Sequence, residues 1–238
     1  MGNKMKFKVK LFADGANINE IMSVYGQGLV SGFTTNPTLM RKAGIRDYEE
    51  FARELLKSIS DLPISFEVFS DDFPSMERES RKISAGGDNV YVKIPITNTK
   101  GESSSELVKK LSEGGIKLNV TAILTTGQVR NIAKTLFPDT PSIVSVFAGR
   151  IADTGRDPVP IMEESLKILK QLPKAELLWA SSRELLNIIQ ADRAGCHIIT
   201  VTNDILKKIT MIDKDLEELS LDTVRMFYSD AMAAGYRI

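Results

Sequence analysis

Ser142-Ile143-Val144-Ser145-Val146-Phe147-Ala148 reads as a strand covered on both faces. Apolar and small residues follow one another without the polar alternation of a half-exposed strand, as expected where helices cover each side of a parallel sheet. Ile198–Val201 repeats the pattern. Outward from these two runs, β-rich stretches recur along the chain at Lys10–Ala16, Leu29–Thr35, Ile64–Phe69, Val90–Ile96, Lys117–Ile123, Ile143–Ala148, Leu177–Ala180 and His197–Thr202. Amphipathic segments separate them. In Asp47–Ser60, the residues Tyr48, Phe51, Ala52, Leu55, Leu56 and Ile59 recur at helical spacing, with Glu49, Glu50 and Lys57 opposite. Ile161–Leu172 and Glu184–Ala194 read the same way, and Gly86-Gly87 and Gly114-Gly115 stand where helices should end before the next strand.

Eight strand–helix alternations in 238 residues predict an α/β fold, a single (β/α)8 TIM barrel. An open doubly wound sheet is the alternative, since periodicity does not report closure. The phosphate fingerprint such a sheet often carries is absent: Gly26-x-Gly28 is followed by Gly32 and leads into a strand, not a helix. The barrel is expected over residues 1–212. Residues 213–238 are expected to form a C-terminal helical extension of the same domain, with Leu216, Leu219, Val224 and Phe227 of Asp213–Ala234 as its packing stripe.

Composition narrows the function. With 42% hydrophobic and 26% charged residues the chain is ordinary globular material, and its formal net charge of zero supplies no field for nucleic acid or an anionic membrane. No nucleic-acid or membrane partner is expected. One cysteine, Cys196, excludes an internal disulfide and suits a reducing compartment. The start Met1–Lys6 is charged with no apolar h-region behind it, and Gly2 lacks the Ser or Thr a myristoylation signal wants at position 6. A cytoplasmic location is the expectation. His197 is the sole histidine, so the paired histidines of metal-dependent sugar-phosphate epimerases cannot be assembled. We expect no metal and no cofactor.

In a parallel barrel, chemistry sits at the C-terminal ends of strands and in the loops beyond them. That filter selects Asp14, Thr35-Asn36-Pro37, Glu67, Lys93, Thr121, Arg150, Ser181 and Arg183. Lys93 lies among apolar neighbours in Val90-Tyr91-Val92-Lys93-Ile94-Pro95, where desolvation favours the neutral amine that attacks carbonyls. Its bland alternative is a lysine snorkelling to solvent or pairing with Glu67. Asp14 and Glu67 are candidate proton-transfer groups, although Asp14 also suits a helix N-cap before Asn17. Arg150 and Arg183 are candidates for a phosphate clamp, with hydroxyl and helix-N-terminal N–H donors from Ser181 and Ser182; the alternative is solvated loop arginines.

Several segments together resemble the transaldolase family, including its small-barrel branch with the fructose-6-phosphate aldolases. They are Leu11-Phe12-Ala13-Asp14, Thr34-Thr35-Asn36-Pro37, Phe66-Glu67-Val68, Val92-Lys93-Ile94-Pro95, Asn119-Val120-Thr121, Ser145 through Ile151, and Ala180-Ser181-Ser182-Arg183. The resemblance implies a Schiff base on Lys93, with Asp14 as acid/base and Glu67 and Thr121 holding a catalytic water. It implies Thr35, Asn36, Asn119, Ser145 and Phe147 as substrate contacts, and Arg150, Ser181 and Arg183 as the phosphate site. The implied partners are sugar phosphates: a dihydroxyacetone unit would pass from a ketose phosphate to an aldose phosphate. A homo-oligomer of five or ten subunits is implied as well. Glutamate at position 67 and phenylalanine at 147 follow the transferase pattern, where the aldolases resemble one with glutamine and tyrosine. A lyase releasing free dihydroxyacetone and a catalytically silent phosphosugar-binding barrel are the other readings.

Overall fold

The computed structural model of the chain describes residues 7–238; the start Met1–Lys6, on which the leader and myristoylation readings bear, lies outside the described residues. Eight parallel strands, β1 Lys10–Asp14, β2 Phe33–Thr34, β3 Ile64–Glu67, β4 Val90–Pro95, β5 Leu118–Ile123, β6 Ser142–Val146, β7 Ala175–Trp179 and β8 Ile198–Thr202, pair in sequence order. β8 returns to pair with β1, so the sheet is a closed barrel and not the open alternative. The helices that interleave with them are α1 Ile18–Gly26, α2 Pro37–Lys42, α3 Tyr48–Ser58, α4 Phe73–Ser84, α5 Ser105–Glu113, α6 Thr126–Ala133, α7 Ala148–Ala152, α8 Val159–Leu169, α9 Leu186–Ala194 and α10 Asn203–Lys207. Among the described residues no helix is long and apolar enough to cross a membrane.

The strands are buried as their composition requires. Every residue of β6 is buried, and so are Val92, Ile94, Leu118 and Val120 on the helix-facing side of neighbouring strands. Inside the barrel, Phe12, Ile143, Leu178, Ala180 and Ile198 form one packed cluster against which Tyr91 and Phe147 lean. Gly32 belongs to this packing: a Cβ there would stand 2.5 Å from Cζ of Phe12, so the ring fills the space a side chain would need.

Two boundaries differ from the sequence reading in an informative way. The expected strand Leu29–Thr35 narrows to Phe33–Thr34, because the chain leaves a left-handed turn at Gly28 (φ 63°) with Leu29 exposed. It still docks on β1 through Ser31 N–H to Leu11 O and Ala13 N–H to Gly32 O. The expected helix Glu184–Ala194 starts at Leu186, because Asn187 Oδ1 accepts from the N–H groups of Arg183 and Glu184 and holds them in a turn outside the helix.

The chain divides into two compact units, one ending at Leu206 and the other spanning Lys207–Ile238. The second contains a 3-10 turn, Lys208–Met211, and α11 Leu216–Ala233, which Asp215 caps by accepting from the N–H groups of Glu217 and Glu218. Of the stripe read from the sequence, Leu216, Val224 and Phe227 are exposed and Leu219 is half-buried.

Candidate active site

Inward-facing side chains at the C-terminal end of the barrel line a cleft of about 400 Å³. Strand periodicity selects them: every second residue faces the interior, so Asp14, Thr34, Glu67, Lys93, Asn119, Thr121, Ser145, Leu178 and Thr200 come to one place from eight strands, with Ala180 just beyond β7. A larger hollow of about 740 Å³ lies on the outer face between α3 and α4. Two of its ionisable groups are already engaged: Lys82 pairs with Glu49, and Glu79 accepts from the N–H groups of Phe69 and Ser70. The smaller cleft holds the convergent ionisable groups, and this is the mark of a reactive site.

Lys93 is 6% exposed and does not snorkel. Its Nζ donates to Thr35 O at 2.7 Å and stands 3.1 Å from Glu67 Oε2, its neighbour across the β3–β4 register. The ion-pairing alternative is therefore present as geometry, and it also fixes the amine in the cleft beside a proton acceptor. Asp14 caps no helix: Asn17 caps α1, accepting from Glu20 N–H at 3.2 Å. The Asp14 carboxyl titrates above its ordinary value of 3.8 because burial disfavours its charge, and Glu67 pushes the same way. Lys93, a hydrogen bond from Thr34 and the Asn36 amide pull it partly back.

Asn36 uses Oδ1 to cap α2, accepting from Leu39 N–H at 3.0 Å, which leaves its amide N–H groups for the cleft. On β5 and β6, Ser145 Oγ donates to Asn119 Oδ1 at 2.6 Å, and Asn119 Nδ2 donates to Ser65 Oγ at 3.0 Å. Ser145 thus offers only lone pairs to a ligand, and Asn119 one remaining N–H. Among the described residues Thr121 Oγ1 has no hydrogen-bond partner; it is buried at the cleft wall, a position that suits a polar ligand atom. The β5–β6 register slips between Val120 and Ile123, with Ala122 at φ 61° in the left-handed region, so the backbone beside Thr121 is strained.

Arg150 on α7 and Arg183 after β7 stand at the other side of the cleft, and Arg150 packs 5.8 Å from the Phe147 ring centroid. Arg183 presents Nε and Nη2 to the Asp153 carboxylate in a two-pronged pair, with Nε to Oδ1 at 3.0 Å. Gly149 lets this corner close: a Cβ there would lie 1.6 Å from Ser181 O. Ser181 is itself left-handed (φ 64°).

Two expectations change. Thr35 does not line the cleft; its side chain donates to Ser65 O and is fully buried, because period two turns it away once Thr34 faces inward. Ser182 Oγ is engaged with Thr200 O at 2.9 Å, and no helix N-terminus follows directly, so Ser181 and Ser182 bring no helix-end donors. Thr34, Thr200 and Thr202 line the cleft and were not among the sequence candidates. The signal for Thr34 was its parity with Asp14, to which it pairs in the β1–β2 register.

Cys196 and His197 lie just before β8, at the opposite end of the barrel. Burial pushes the Cys196 thiol up to about 12. His197 Nδ1 accepts from Leu177 N–H at 2.9 Å. Among the described residues no three His, Cys, Asp or Glu side chains gather as a metal site.

Two solved structures share the fold at low identity. They are 3-hexulose-6-phosphate synthase from Salmonella typhimurium (TM-score 0.58, 16% identity, 84% of this chain and 91% of that one) and dihydrodipicolinate synthase from Rhodopseudomonas palustris (TM-score 0.52, 16% identity, 90% and 79%). Sequence relatives are nearer. A probable transaldolase from Caldicellulosiruptor saccharolyticus is 40% identical over 204 residues, 85% of this chain and 89% of the relative. One from a Thermoanaerobacter species is 36% identical over 97% of this chain and its own full length, and one from Thermoplasma volcanium is 37% identical over 89% and 92%. The family model for transaldolase/fructose-6-phosphate aldolase matches residues 11–238. The chain belongs to the transaldolase/fructose-6-phosphate aldolase family.

Proposed function

We propose that this enzyme transfers a dihydroxyacetone unit from a ketose phosphate, such as sedoheptulose 7-phosphate or fructose 6-phosphate, to an aldose phosphate through a Schiff base on Lys93. The observation that carries the reading is the buried Lys93 amine, 3.1 Å from Glu67 and in one cleft with Asp14. Nζ attacks the ketose carbonyl, and loss of water leaves the protonated Schiff base. Asp14 then takes the proton of the hydroxyl on the carbon to be released. The C–C bond breaks, its electron pair passes to the iminium as an enamine, and an aldose phosphate leaves. The acceptor aldose enters, the enamine carbon attacks its carbonyl, and Asp14 returns the proton. Water held between Glu67 and Thr121 hydrolyses the product from Lys93. Asn36, Asn119 and Ser145 bind the three-carbon unit, while Arg150, Arg183 and Ser181 bind the phosphate.

Transfer, in place of release, requires that the enamine stay unprotonated until the acceptor arrives. The phenyl ring of Phe147 has no donor with which to position a proton-delivering water, and this favours the transferase. The exposed apolar residues of α11, Phe227 and Val224 among them, favour a homo-oligomer, proposed as a pentamer or decamer working in the cytoplasm. The test is purified protein with fructose 6-phosphate, with and without erythrose 4-phosphate. The expected result is cleavage only with the acceptor present. Cleavage without it makes the enzyme a lyase, and none in either case leaves a binding barrel.

A further inference from the structure

Two buried hydroxyls run from β8 through β2 to Asp14, and proton counting fixes their direction. Thr34 Oγ1 donates to Asp14 Oδ1 at 2.8 Å and lies 2.6 Å from Thr200 Oγ1. A hydroxyl carries one proton. With the Thr34 proton on the carboxylate, the contact between the two threonines has to be filled by the proton of Thr200. If Thr34 turned to donate to Thr200, its lone pair would face Asp14 Oδ1, which is favourable only when Asp14 is protonated and donates. The chain of bonds therefore has two settings, one for each protonation state of Asp14.

Thr34 is 3% and Thr200 6% exposed. Barrel layers of this kind are normally filled by branched apolar residues, and valine would occupy the same volume without two polar atoms to desolvate. The backbone carbonyl of Thr200 accepts from Ser182 Oγ at 2.9 Å, which ties the residue to the loop carrying Arg183. Facing Asp14 are Thr34 from β2, Thr200 and Thr202 from β8, Glu67 from β3, Lys93 from β4 and the Asn36 amide at the head of α2. Lys93 and Glu67 are the charged members of that set and are already paired with each other.

We propose that Thr200, acting through Thr34, is a positioning residue for the reaction: the two hydroxyls form a relay that orients Asp14 and stabilises its carboxylate against its buried surroundings. The proposal rests on the reading that Asp14 moves protons. Its physical content is the titration of Asp14, which can be read without turnover. Hydrogen bonds to a charged acceptor strengthen one another along a chain, so loss of the outer bond weakens the inner one.

The experiment is a 13C NMR titration of the Asp14 carboxyl carbon in substrate-free protein, assigned with Asp14→Asn, for wild type, Thr34→Val, Thr200→Val, Thr34→Ser and Thr200→Ser. Circular dichroism checks that each is folded. The Asp14 midpoint should move upward in both valine variants, further in Thr34→Val, and the serine variants, which keep the hydroxyl, should titrate as wild type does. In transfer assays the acid limb of the pH profile should move the same way. Below that limb kcat should fall about tenfold in Thr200→Val, part of the total general-base contribution, with KM little changed. A midpoint that stays put in Thr200→Val, or a Thr200→Ser variant that behaves like valine, overturns the proposal. Wild-type protein without transfer activity refutes the functional reading and leaves the titration to decide on the relay.

Discussion

Replacing Gly149 by alanine should damage phosphate binding although no ligand-binding group is removed. The new Cβ would be placed 1.6 Å from Ser181 O, a backbone atom, where side-chain carbons do not come nearer than about 3.0 Å. The α7 segment or the β7 loop must therefore move by about 1.4 Å, the difference between those distances. Arg150 is the next residue on one side of the contact, and Ser181 and Arg183 lie on the other, so the proposed phosphate groups separate by the full displacement. Misplacement on the scale of 1 Å costs about 10²-fold in rate. Overpacking of a close-packed corner destabilises by about 1–3 kcal/mol. The assay compares kcat/KM for fructose 6-phosphate with that for unphosphorylated fructose, alongside thermal unfolding. Gly149→Ala should lose about 10²-fold with the phosphorylated donor and much less with the other. Gly32→Ala is the control: its Cβ would meet the Phe12 ring in the core, so stability should fall without phosphate discrimination. An unchanged ratio between the two donors in Gly149→Ala would show that this corner does not set phosphate binding.

Asp153→Ala should raise KM for phosphorylated donors, because Asp153 holds Arg183 by Nε and Nη2. The pair is about half exposed and worth at most ~1 kcal/mol, so a change above roughly fivefold or none at all would show another role for Asp153. His197 titrates below its ordinary value of 6.5, chiefly because burial opposes its charge, and protonation would remove the lone pair that accepts from Leu177 N–H. The unfolded chain then binds the proton first, so this contribution to stability is complete above pH 6.5 and is lost as pH falls through the folded value. The thermal-unfolding advantage of wild type over His197→Gln should shrink between near-neutral and mildly acidic buffer, and parallel curves would contradict it. Phe147→Tyr should increase free dihydroxyacetone formed per transfer event, since a phenol can position water where the phenyl ring cannot; a constant ratio would remove Phe147 from the choice between transfer and release.

The barrel was legible because parallel strands buried on both faces leave apolar runs, as in Ser142–Val146, and because glycines such as Gly115 punctuate the helix ends. Closure was legible only through the count of eight alternations, since the β1–β8 pairing joins Lys10 to Ile198 and leaves no local pattern of its own. Within the site, charged residues in strands stood out: Lys93 and Glu67 are conspicuous in any apolar run. Hydroxyls did not. Thr200 looks like another β-branched core residue, and its bond to Thr34 crosses 166 positions. The motif Thr34-Thr35-Asn36-Pro37 drew attention to Thr35, yet the two-residue period had to place Thr34, the partner of Asp14 in register, on the inner face. The Arg183–Asp153 pair escaped, being set by where two loops meet.

In the proposed reaction Lys93 becomes covalently bonded to substrate. Borohydride added to the enzyme with fructose 6-phosphate should reduce the Schiff base and fix a dihydroxyacetone-derived group on the protein, and peptide mass mapping should place it on Lys93. Lys93→Ala, which removes the amine from beside Glu67, should accumulate none. An adduct on any other lysine, or an active enzyme that yields no adduct, would contradict it.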